Sequence, residues 1–95
     1  MAEKNAYEEK TDAQLKELDA RIKLMEAKME QVEAQAKIEY KERLEDLRSK
    51  REEARSRFED LKDTGADAWQ DLQQGVDGAV KELRQAVNEA ASRFE

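Results

Sequence analysis

The chain has 95 residues, with 18 Lys or Arg against 24 Asp or Glu, for a net charge of −6. This length supports one small folding unit, and the acidic balance excludes a nucleic-acid partner, because phosphate binding rests on a basic surface. His and Cys are both absent, which removes imidazole general bases, thiolate nucleophiles, disulfides and Cys/His metal sites.

Pro is also absent and the three Gly fall between residues 65 and 78, a composition of long helices rather than of a sandwich, a barrel or a Pro-rich disordered segment. The expected fold is all-α: a long charged helix over residues 1–63, a break at 64–66, and a shorter amphipathic helix over 67–95, arranged as a coiled coil or an antiparallel helical hairpin. The first segment carries 33 charges and no interior Gly. A helix over residues 5–63 would be about 90 Å long. Thr11-Asp12-Ala13-Gln14 has the form of a capping box and is a second candidate start for the helix.

Along this segment Leu15, Leu18, Ile22, Met25, Met29 and Val32 step by three and four, a heptad seam. Ala36, Tyr40 and Leu44 then follow at steps of four, which is a stutter in that repeat. From there an 11-residue period runs on. Met25, Ala36, Leu47, Phe58, Trp69, Val80 and Ala91 form one series; Leu61, Leu72, Leu83 and Phe94 form another; Ala54, Gly65, Val76 and Val87 form a third. Eleven residues in three turns keep such a stripe nearly straight on the helix. Leu24 and Ile38 lie off it. Residues 48–57 offer only Ala54 to the stripe and place Arg51 at a core-type position, so this stretch is expected to pack weakly.

Asp63-Thr64-Gly65 is the break. Thr64 and Gly65 are the hinge residues, with Gly65 expected in a left-handed cap and Thr64 expected to cap the next helix. The C-terminal segment turns Trp69, Leu72, Val76, Val80, Leu83, Val87 and Phe94 onto one apolar face. Gly75 suits close packing by a neighbouring helix, whereas Gly78 faces away from the seam. Acid-to-base pairs four residues apart, from Asp12–Lys16 to Glu89–Arg93, read as solvated helix support.

The chain contains no GxGxxG, P-loop or G-x-S-x-G pattern, and its many carboxylates form no distinctive pair. No catalytic residue, cofactor, metal or small-molecule substrate is expected. The opening residues lack the apolar core of a secretory leader and no run of 18 apolar residues occurs, so a cytoplasmic location is expected. A fold-back at residue 65 would leave the Leu15-to-Val32 seam bare, and a bare apolar seam asks for a partner. Self-association, with a dimer favoured, is the expected partnership. A lipid surface or an unfolded protein client is the alternative, through the C-terminal face.

Several stretches carry a resemblance to a family of small bacterial coiled-coil stress-response proteins. They are the opening Met1-Ala2-Glu3-Lys4-Asn5-Ala6-Tyr7, the Ala13-Gln14-Leu15 triplet, Ala36-Lys37-Ile38-Glu39-Tyr40, Trp69-x-x-Leu72-x-x-Gly75, and Ala90-Ala91-Ser92-Arg93-Phe94. The resemblance covers nearly the whole chain and implies an all-helical, non-enzymatic bacterial protein; it transfers no functional residues. The 11-residue period is also similar to that of exchangeable apolipoproteins and late-embryogenesis-abundant proteins, a likeness of period alone.

Overall fold

The computed structural model describes residues 2–65 and 67–94, apart from the side chains of Ala2 and Phe94. Three helices account for almost all of it: α1 (Ala2–Met29), α2 (Ala34–Asp63) and α3 (Trp69–Phe94). Among the described residues there is no strand. Each helix touches both others, and the molecule measures 51 × 18 × 16 Å.

Those dimensions correct the expected single helix over residues 1–63. A continuous rod of that length would be about 90 Å long. Instead the chain turns at residues 30–33 and α1 folds back along α2. The expected start at Thr11 is corrected as well. Helix α1 is already formed at Ala2, and Thr11 is buried inside it.

Cross-helix contacts give the helix directions. Glu26 meets Arg48 and Asp19 meets Arg51, so α1 and α2 are antiparallel. Lys50 meets Glu82 and Glu39 pairs with Arg93, so α2 and α3 are antiparallel too. Tyr7 meets Asp77 and Glu17 meets Arg84, which makes α1 and α3 parallel. The topology is an up-down-up three-helix bundle.

The core follows the stripe. Leu15, Leu18, Ile22 and Met25 of α1 are buried, as are Tyr40, Leu44, Leu47, Ala54, Phe58 and Leu61 of α2. Trp69, Val76, Val80, Leu83, Val87 and Ala90 of α3 complete it. Leu24 and Ile38, the two residues off the stripe, are 63% and 70% exposed. Leu72 is corrected: it lies on the 11-residue series yet is 38% exposed, because α3 meets its two neighbours along the Trp69–Val76–Leu83 side. The region 48–57, expected to pack weakly, is corrected: it packs against α1 and the core. Ala54 is fully buried, a small residue that allows close helix approach, and Arg51 bridges to Asp19 of α1 at 2.8 Å.

The α2–α3 junction also differs in detail from expectation. Among the described residues no Gly has a positive φ, so Gly65 is not a left-handed cap. Thr64 ends α2 in extended backbone, φ −82° and ψ 143°, and its N–H donates to the Leu61 carbonyl. Its hydroxyl donates to the Asp60 carbonyl at 2.7 Å, which places Thr64 at the end of α2 rather than at the start of α3. Residue 66 of the expected break lies outside the described residues.

This packing sets what core and surface substitutions cost. Leu83→Ala empties a fully buried site and is expected to cost about 3 kcal/mol, whereas Leu24→Ala is expected to stay within about 0.5 kcal/mol. Urea unfolding monitored by helical circular dichroism measures both. A Cβ built on Gly78 meets nothing within 4 Å, so Gly78→Ala is expected to raise stability by about 1 kcal/mol in the same assay, through helix propensity alone.

Candidate functional site

The feature that could serve a function is the groove formed by α2 and α3 and filled by α1. The six residues of the N-terminal seam all lie there. Leu15, Leu18, Ile22 and Met25 are buried, and Met29 and Val32 are half-buried against the same core. This corrects the reason for expecting a partner: the seam is not bare, because the turn at residues 30–33 lets the chain cover it itself. The C-terminal face is covered in the same way. Trp69, Val76, Val80, Leu83 and Val87 point inward, and the Phe94 side chain lies outside the described residues. Thr64 and Gly65, expected as the hinge, lie between α2 and α3.

Polar contacts hold α1 in the groove along its length. At one end the Tyr7 hydroxyl donates to the Asp77 carboxylate at 2.5 Å, and its ring packs on Trp69 with centroids 5.7 Å apart. Burial and the neighbouring Asp77 charge push the Tyr7 hydroxyl well above the usual tyrosine range, so it stays neutral and remains a donor. In the middle Arg51 meets Asp19, which also takes Lys23 at 3.2 Å. Burial alone would raise the Asp19 carboxyl, but the hydrogen bonds and charges of Lys23 and Arg51 outweigh it and hold it below the usual carboxylate range. Towards the turn, Arg48 reaches Glu26 at 3.3 Å.

On the opposite flank of α2, Lys50 contacts both Asp46 at 3.1 Å and Glu82 at 3.7 Å. The Asp46 hydrogen bond raises the Lys50 ammonium above its ordinary value, against a smaller effect of burial. Several acids expected to pair within their own helix therefore serve tertiary contacts instead. Asp77 takes Tyr7, and Glu39 takes Arg93. The sequence shows these residues only as helix-surface charges, because which charge crosses to a neighbour depends on the relative placement of the helices.

Surface concavities offer little chemistry. A cleft of about 290 Å³ lies between α1 and α3, lined by Tyr7, Lys10, Gln14, Asp77, Lys81 and Arg84. It is open to solvent and holds no nucleophile–base pair. Among the described residues no group of three acids is placed to hold a metal ion, and no helix is long and apolar enough to cross a membrane. Comparison with known protein families, with curated proteins and with solved structures returns no match.

The Asp19 clamp generates a pH prediction. A carboxyl whose pKa is lowered by folding adds stability above its unfolded value, about 4. That contribution is lost as the pH falls through the lower folded value. Asp19→Asn is expected to cost about 1 kcal/mol at neutral pH, with the difference from the unsubstituted chain shrinking toward zero near pH 2. Urea midpoints at the two pH values measure it.

Proposed function

We propose that this chain is a non-enzymatic helical interaction protein that acts by seating one apolar helix face against another, with a second copy of itself as the first partner. One observation carries the reading. The three helices that share the core are segments of one nearly continuous apolar stripe, and almost every member of the stripe is turned inward. Each helix therefore offers its neighbours the same kind of face, and a helix of the same pattern from another copy meets the same complementarity. The solvated ion pairs on the outer faces suit persistence and solubility rather than catalysis.

The motifs given above resemble those of small bacterial coiled-coil stress-response proteins, and this chain is proposed to be a cytoplasmic protein of that kind. A helical module that associates through its interior faces suits such a role. Lipid surfaces and unfolded clients form the competing class of partner. Either would have to uncover the α3 face, where Trp69 is now buried against Tyr7. The described part of α3 and its preceding turn carries more acid than base, which disfavours anionic membranes.

Size-exclusion chromatography with light scattering over a rising concentration series tests the proposal. The expected result is a mass that climbs from 11.0 kDa toward twice that value. Trp69 emission is expected to stay unchanged when neutral lipid vesicles are added. A mass fixed at the monomer value would overturn the self-association reading, and a vesicle-dependent blue shift would replace it with the lipid reading.

A further inference from the structure

The two junctions of the bundle are built differently. Between α2 and α3 the chain uses Thr64 in extended backbone, with its hydroxyl on the Asp60 carbonyl, followed by Gly65. These are residues that stop a helix. Between α1 and α2 the chain uses Glu30-Gln31-Val32-Glu33. That stretch contains no Gly, Pro, Asn, Asp, Ser or Thr, and Glu33 at the N-cap of α2 makes no side-chain capping hydrogen bond.

Glu and Gln rank among the better helix formers. Nothing local stops α1 from running on into α2. The apolar pattern also passes through this junction, since Met25, Ala36 and Leu47 keep their 11-residue spacing across it. The stutter at Val32–Ala36 is one that a continuous helix absorbs by slight local unwinding. The turn exists because it lets the α1 seam reach the groove of its own chain. The groove of a second copy is chemically identical.

We propose that the chain forms a homodimer by exchanging α1. In each copy α1 and α2 join into one helix across residues 30–33, and each α1 lies in the partner's groove between α2 and α3. This rests on the self-association reading and specifies its mode. The apolar burial, the Tyr7–Asp77 clamp and the Asp19–Arg51 pair are all recreated between copies. The exchange removes an uncapped turn and restores helical hydrogen bonds there, and it costs the independent motion of one chain. Protein concentration and the helical preference of residues 30–33 therefore set the balance.

The region around the junction is where such a dimer gains contacts that the closed bundle lacks. Leu24 and Ile38, the two most exposed large apolar side chains among the described residues, flank that junction on either side.

The test places spin labels at Ala13→Cys on α1 and Arg55→Cys on α2, both exposed sites. The doubly labelled chain is diluted into excess unlabelled chain, refolded from denaturant at high concentration, and separated by size. In the dimer fraction the two labels are expected about 60 Å apart, the length of a helix spanning them; in the monomer fraction they are expected side by side. Gln31→Gly with Val32→Gly penalises the straight helix and is expected to lower the dimer fraction by about tenfold or more.

A dimer whose labels stay close within one chain would overturn the exchange and leave self-association standing. A chain that gives no dimer under these conditions overturns both readings. A glycine variant that dimerises as readily as the parent overturns the role assigned to the junction.

Discussion

Burial of one helix face decides the shape of this molecule. Residues 30–33 contain no Gly, Pro, Asn, Asp, Ser or Thr to stop a helix, and they turn anyway. The turn gives up a few backbone hydrogen bonds, each worth about 1 kcal/mol net. In return Leu15, Leu18, Ile22 and Met25 leave water, and each buried side chain of that size contributes about 1.5–3 kcal/mol. The second sum exceeds the first, so the hairpin forms against local preference. Without the α1 seam, the groove between α2 and α3 would open Trp69, Val76 and Leu83 to solvent.

Polar contacts refine what burial permits. An apolar stripe is nearly featureless along its length, and one helix could slide past another by a turn at modest cost. The Asp19–Arg51, Glu26–Arg48 and Tyr7–Asp77 contacts specify register and direction. Their own contribution to stability is small where they face water. Their arrangement aligns the three helices of the bundle with one another.

Much of the core is legible from spacing. The heptad and 11-residue series name nearly all of the buried large side chains, and they set Leu24 and Ile38 apart as the exposed ones. The failures are equally specific. Leu72 follows the period and is exposed, because a stripe is wider than the contact that three helices make. Gly65 and Thr64 mark a junction, but the cap is an extended Thr with a hydroxyl on Asp60 rather than a left-handed Gly. The stutter at Val32–Ala36 stands where the first turn falls. Read as a local adjustment within one rod, it gives no sign of a reversal.

The amino-acid order by itself determined that the chain is helical, which faces are apolar, and that the second junction lies near Thr64. Those properties depend on residue type and on periodicity, which are local. Only the tertiary structure decided that the first 63 residues form two helices, that the seam is covered within the chain, and that Asp77 and Glu39 serve neighbouring helices instead of their own. These outcomes weigh burial gained across the whole bundle against propensity lost at four residues. That balance is made between segments distant in sequence, and no local pattern records it.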